Sequence, residues 1–169
     1  MSLNEIFDYI NKKQKWIEER QNSIKSILHK NYELINYEKL LFLGKQYDVC
    51  MTKNIEKSYL TSNQIIIEKT SSLNSVKSQI KEFLMESCDK VLVPRICEIS
   101  RKIGVSFKQI KIVSSKAKWG MCDSKKCLYF NYKMLMLPHE IIDYIIVHEL
   151  CHLLELNHSK NFWKLVGKI

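Results

Sequence analysis

Apolar residues recur at helical intervals through the first part of the chain. Leu3, Phe7, Ile10, Ile17, Ile24 and Leu28 fall close to a heptad spacing, which predicts a long helix from Asn4 to about His29 with one packed face. Four short strand-like pieces follow: Leu40–Leu43, Tyr47–Met51, Lys57–Leu60 and Ile65–Glu68. The breaks at Gly44-Lys45 and Thr61-Ser62-Asn63 suggest a small antiparallel meander. Thr70-Ser71-Ser72 opens a second long helical pattern, with Leu73, Val76, Ile80, Phe83, Leu84, Ser87 and Val91 on one face. Pro94 is expected to break or kink it, because proline lacks a donor and clashes with the preceding turn. A further helix, about Arg95 to Lys102, would close at Gly104.

The pattern then shortens. Ile110 and Ile112 alternate with Gln109 and Lys111, as in a half-buried strand. Trp119–Cys122 and Cys127–Asn131 read as a hairpin around Asp123-Ser124-Lys125-Lys126. Pro138 suits the first turn of a helix running from about His139 to Leu154. That helix is apolar nearly all round (Ile141, Ile142, Ile145, Ile146, Val147, Leu150, Leu153, Leu154) and should be central and buried. Neither an internal repeat nor a Pro/Gly/Ser-rich linker interrupts the chain, so one α+β domain over 1–169 is expected.

Composition narrows the class. A chain of 169 residues with 46% hydrophobic and 27% charged residues has the balance of a soluble globular protein. It can bury roughly 70% of its unfolded surface, so neither metal nor disulfide is needed merely to fold it. No uncharged apolar run approaches the ~18 residues of a membrane span. Glu5 and Asp8, with no apolar stretch between Met1 and Lys13, argue against a secretory signal. Six cysteines without a C-x-x-C pair fit free thiols in a reducing cytoplasm. Cys122 and Cys127 flank the hairpin turn, but a second pair of zinc ligands is not evident. With four glycines, neither G-x-G-x-x-G nor a Walker A loop can be written.

Charge is uneven. The net +9 is concentrated in 101–133, where nine basic residues face only Asp123. Such a field attracts nucleic acid, a nucleotide or another polyanion, with Lys116, Lys118, Lys125 and Lys126 as candidate substrate or anion contacts. The plainer reading is the solvent faces of strands in a lysine-rich chain, since only three of the 27 basic residues are arginine, the residue favoured for phosphate and base readout.

The candidate chemistry lies on the greasy helix, in His148-Glu149-Leu150-Cys151-His152. Residues at i and i+4 stand one turn apart on one face, so both imidazoles can reach a single ion. Glu149 projects about 100° away, beside the metal rather than on it, where it can accept a proton from a bound water. Such groups would be costly on an apolar helix unless satisfied. A hydrolytic zinc wants three protein ligands and one open position. His158 is the candidate third, provided that the chain turns between Leu154 and Asn157, with Asn157 a suitable left-handed terminator. His158–Trp163 can then begin a final helix. Glu155 stands where the metzincin pattern has glycine and no methionine follows the motif, so a metzincin is disfavoured. Glu155 is also the only carboxylate after Leu153, which disfavours a gluzincin.

Several runs together carry a resemblance: Lys118-Trp119-Gly120-Met121-Cys122, Asn131, Pro138, Ile142 through Leu153, Asn157-His158-Ser159 and Phe162-Trp163. They resemble the YgjP-like family of zinc metallopeptidases, zincin-like proteins akin to the SprT-type proteases. The resemblance is specific over about Val113 to Val166 and looser towards the N-terminus. It implies one zinc ion per chain on His148, His152 and His158, and Glu149 as catalytic base. The family has arginine and serine where this chain has Lys118 and Met121. The fold expected is zincin-like, with long N-terminal helices, a small antiparallel sheet, a buried active-site helix and a short C-terminal helix. A helical and meander part (1–105) would precede a catalytic part (106–169).

The function expected is a cytoplasmic zinc hydrolase acting on peptide or protein, without a membrane partner. Leu128–Met134 is the candidate edge strand for an extended substrate. Alternatives keep the metal but hydrolyse a phosphoanhydride, as a nucleotide pyrophosphatase would, or make the chain a nucleic-acid-associated protease or adaptor. Trp119 and Trp163 read as core anchors, Cys151 as a small apolar core residue, and His29 and His139 as surface residues. Tyr129, Tyr132 and Tyr144 are open candidates for oxyanion support, with packing the simpler fate of each.

Overall fold

Leu43 and Gly44 both take positive φ (51° and 77°), and there the chain reverses between β1 (Lys39–Phe42) and β2 (Lys45–Thr52). Two consecutive left-handed residues match the twist of the flanking strands, and β1 and β2 pair antiparallel with Phe42 opposite Lys45. The computed structural model describes residues 38–167. The predicted helix from Asn4 to about His29 lies outside those residues, as does His29.

Two mixed sheets replace the expected antiparallel one. In the first, the order is β1-β2-β4-β3, with β4 (Gln64–Glu68) parallel to β2 and antiparallel to the two-residue β3 (Tyr59–Leu60). A meander would have placed β3 beside β2. Instead β4 takes that place because Ile65, Ile66 and Ile67 are all buried, which demands cover on both faces, whereas both residues of β3 are exposed. In the second sheet, β7 (Cys127–Asn131) is central, parallel to β5 (Gln109–Val113) and antiparallel to β6 (Gly120–Cys122). The proposed edge at Leu128–Met134 is therefore corrected. Its strand part is the middle of the sheet, and β5 and β6 are the edges.

The helix α1 (Leu73–Ile103) starts and stops where its pattern predicts. Ser72 caps it by accepting the Ser75 N–H, and Gly104 closes it. Pro94 does not divide it. Buried Leu84, Cys88, Leu92, Ile96 and Ile99 continue one stripe past the proline, which sits exposed on the opposite side. The missing donor therefore costs a bond on the wet face, next to exposed Lys90, while the packed face carries on.

A 3₁₀ turn (Tyr132–Met136) leads from β7 into α2 (His139–Cys151), and α3 (Lys160–Val166) ends the described chain. The β1–β2 hairpin docks on this run-up. Leu43 N–H donates to the Leu135 carbonyl at 2.6 Å, and a β-carbon on Gly44 would stand 2.9 Å from Pro138 Cα. Arg95 of α1 makes a two-pronged bond to Asp143 of α2, at 2.8 and 2.6 Å. Ile142, Ile146 and Leu150 of α2 join α1, β4 and β7 in one core. The helix bearing the candidate chemistry is thus held from three sides. No helix among the described residues is long and apolar enough to cross a membrane.

Candidate metal centre and active site

The end of α2 is tightened rather than turned by a left-handed residue. Leu153 and Leu154 donate to the carbonyls three residues back, Leu150 and Cys151, at 3.1 and 3.0 Å. Asn157 does not take positive φ, so the expected Asn157 terminator is corrected; the helix has already ended at Cys151. Ser159 then caps α3, its hydroxyl accepting from Asn161 and Phe162 at 3.2 and 3.3 Å. Together these ends bring His158 back over α2.

The three histidines meet. One ring nitrogen from each of His148, His152 and His158 lies within 4.8 Å of the others. His152 Nδ1 stands 3.0 Å from the Glu155 carbonyl, which fixes the proton on that nitrogen and leaves Nε2 with its lone pair. Phe162, fully buried, stacks on His152 with centroids 4.4 Å apart, and Trp163 stacks on His158 at 5.8 Å. Burial, reinforced by His152 and His158, pushes the His148 pKa down to about 4. Burial also lowers that of His158. His148 is therefore held neutral, as ligation requires, and the shift of His158 runs the same way.

Glu149 lies beside this cluster and is buried. Burial pushes its carboxyl up to about 7, against the opposing influence of the Cys122 N–H and the Lys118 ammonium. The Cys122 amide is free to do this because β6 is an edge. The Trp119 carbonyl and the Asp123 N–H are turned towards β7, bonding Asn131 and Cys127 at 2.9 and 3.0 Å. Alternation along the strand turns the amides of Gly120 and Cys122 the other way. A β-carbon on Gly120 would stand 2.5 Å from Glu149 Cγ, so only glycine lets the strand lie so close.

The donor set suits a zinc-like cation. His158 Nε2 and His148 Nε2 stand 2.9 Å apart, and neutral imidazoles can share that contact only by one donating to the other. His148 Nδ1 is meanwhile buried without a partner. Three imidazole nitrogens converging with no carboxylate among them match a three-histidine site with an open position. Among the described residues this is the only group of three or more metal-capable side chains, so Cys122 and Cys127 gain no further ligands.

A profile of the YgjP-like, metallopeptidase domain matches residues 1–169. The chain belongs to the YgjP-like family. No curated protein matches it significantly. Among solved structures, the crystal structure of the metallopeptidase zymogen of Pyrococcus abyssi abylysin is similar at 23% identity, covering 47% of this chain and 79% of that one, with a TM-score of 0.43. Membership of the YgjP-like family makes this a metallopeptidase-type hydrolase and implies a metal, for which the histidine cluster is the candidate seat.

Other predicted residues of this YgjP-like chain separate. Lys118 is the lysine whose charge acts on Glu149, whereas Lys125 and Lys126 sit in the β6–β7 turn and Lys116 in the loop before β6. Of the three tyrosines, Tyr144 lies beside the cluster, its ring 6.0 Å from that of His148. Tyr132 is buried in the core, and Tyr129 bonds Asp123 at 3.1 Å. Cys151 is fully buried and His139 exposed. Trp119 packs on the core, while Trp163 stands half-buried against the histidines.

Gly120, Phe162 and Asn131 carry parts of the site to which sequence reasoning assigns no role. Buried Asn131 donates to the Ser115 and Lys118 carbonyls at 2.8 and 3.1 Å and accepts from Lys133 N–H, pinning the loop that presents Lys118 and Gly120. A buried asparagine ending an apolar strand was the available signal.

Proposed function

We propose that this protein is a zinc-dependent peptidase in which His148, His152 and His158 hold the ion and Glu149 is the general base. One YgjP-like unit over 1–169, with its chemistry in 106–169, fits this reading. The observation that carries it is the convergence of three imidazoles within 4.8 Å beside a buried glutamate. When bound, zinc supplies a Lewis acid and lowers the pKa of water towards ~7.

The chain's own residues do the rest. Phe162 and the Glu155 carbonyl fix the plane and tautomer of His152. The Cys122 N–H holds the Glu149 carboxylate in place. Glu149 takes a proton from the attacking water and passes it to the leaving amine. The outward carbonyls of Gly120 and Cys122 lie on the open edge of β6, where an extended peptide can pair beside Glu149.

The test combines metal analysis with peptide hydrolysis. Purified protein should carry about one zinc per chain, and Glu149→Gln should keep the metal while losing turnover. Retained turnover in that variant, or zinc content indifferent to His158→Ala, would sink the reading. Nucleoside triphosphates tested beside unfolded protein discriminate the alternative. Cleavage of the triphosphates alone would move the same site to phosphoanhydride chemistry.

A further inference from the structure

The outer face of the three-stranded sheet plays no part in the chemistry above. The pairing places Met121 of β6, Tyr129 of β7 and Lys111 of β5 in one row across that face. Met121 and Lys111 are exposed, and Lys111 Nζ lies 5.6 Å from the centroid of the Tyr129 ring. The Tyr129 hydroxyl is anchored on Asp123 at 3.1 Å, so the ring is held in position. At one end Lys118 Nζ rests 3.9 Å from Met121 Sδ. At the other, Lys108 N–H donates to the Lys126 carbonyl at 2.8 Å, which gathers Lys108, Lys125 and Lys126 around the β6–β7 turn.

Among the described residues Lys118 acts on Glu149 and Lys125 on Asp123, but neither pair reaches ion-pair distance. The ion pairs among the described residues engage Lys57, Arg95 and Lys102, and leave Lys108, Lys111, Lys116, Lys118, Lys125 and Lys126 without a carboxylate at ion-pair distance. A lysine field with an aromatic and a thioether at its centre complements one kind of polyanion better than others. Phosphates meet the ammonium groups, while unpaired bases offer flat faces to Tyr129 and Met121. A duplex hides those base faces, and an acidic polypeptide has none.

We infer that the Lys111–Tyr129–Met121 face is a docking surface for single-stranded nucleic acid. This inference does not depend on the peptidase reading. The face lies on the other side of β6 from Glu149, so an occupied surface leaves the histidine cluster open.

Fluorescence anisotropy of the full chain with a labelled single-stranded oligonucleotide of about 20 nucleotides tests it, beside its duplex and poly-glutamate. The single strand should bind tightest. Lys108→Glu with Lys111→Glu should cost at least about tenfold in affinity and flatten the log-affinity against log-salt slope by about 1.4, at ~0.7 for each phosphate that no longer meets a lysine. Tyr129→Leu should weaken the single strand about tenfold, whereas Tyr129→Phe keeps the ring but loses its Asp123 anchor and should weaken binding by no more than about threefold. Poly-glutamate binding as tightly as the oligonucleotide would overturn the proposal in favour of an acidic protein partner. Lysine reversals without effect would overturn it altogether. Peptide hydrolysis measured on the same variants keeps this failure separate from failure of the peptidase reading.

Discussion

Gly120 and Glu149 are in contact across the β6–α2 interface so closely that a single added carbon does not fit. A β-carbon at Gly120 would meet Cγ, Oε1 and Cδ of Glu149 at 2.5, 2.8 and 2.9 Å. The carboxylate is confined by that strand and by the Cys122 amide at once. Gly120→Ala must therefore displace either the strand or the candidate base. Overpacking of this kind costs about 1–3 kcal/mol, and a displacement of ~1 Å at a reacting group can cost about a hundredfold in rate. The expected outcome is a protein that retains its metal, melts somewhat lower, and hydrolyses peptide about a hundredfold more slowly. Metal analysis and kcat/KM on one preparation check both halves.

The histidines differ in how they are supported, and their replacements should differ accordingly. His158 is exposed, on the segment between α2 and α3, while His152 is buried beneath Phe162. His158→Ala should lower zinc affinity by at least about a hundredfold with little change in the melting of metal-free protein. Phe162→Leu removes the stacked ring without touching a ligand. It should weaken zinc about tenfold and also destabilise the metal-free chain by about 1–3 kcal/mol. Competition with a chromophoric chelator, together with thermal melts with and without zinc, separates the two effects.

What could be read from residue order was the gathering of the three histidines and the elements that carry them. The two ends of α1, the buried character of α2 and the His148-Glu149…His152 face each depend on local spacing, and local spacing is what a sequence displays. The neighbours of strands were harder. Ile65-Ile66-Ile67 marks a strand covered on both faces, yet nothing local says that β2 rather than β3 alone lies beside it. The same holds for β7, whose Cys127-Leu128-Tyr129-Phe130 run is that of a central strand. Pairing is decided by burial summed over the whole sheet. The closeness of Gly120 to Glu149 was invisible for the same reason: it is a property of two elements after they have packed.

Pro94 illustrates packing overriding a local rule, and it can be measured. Its exposed position leaves the Lys90 carbonyl without the usual helical donor, while the stripe from Leu84 to Ile99 stays buried. Pro94→Ala restores that donor. Interior proline costs a helix about 3 kcal/mol relative to alanine, offset by up to about 1 kcal/mol because proline also restricts the unfolded chain. The substitution should raise stability by about 2–3 kcal/mol. Chemical denaturation with an unchanged m-value would establish it.

The Glu98 carboxylate of α1, which shares Arg95 with Asp143 of α2, supplies a pH dependence of definite sign. Glu98 accepts from Arg95 Nη1 at 2.6 Å and from Lys102 Nζ at 2.6 Å. Hydrogen bonds from Lys102 and then Arg95 hold its carboxyl down to about 2, from an ordinary value near 4.5. A carboxyl whose folded-state pKa is depressed binds protons more weakly in the native chain than in the unfolded one. Its contribution to stability is therefore fully present above about 4.5 and is lost as pH falls through about 2. Because Glu98 is open to solvent, the effect should be small and should shrink with added salt. Glu98→Gln should accordingly lower the melting temperature slightly at neutral pH and low ionic strength. The gap between variant and parent should close as the buffer is taken from pH 4.5 towards 2. A gap that widens on acidification would mean that the carboxylate is not held by these two cations in the folded chain.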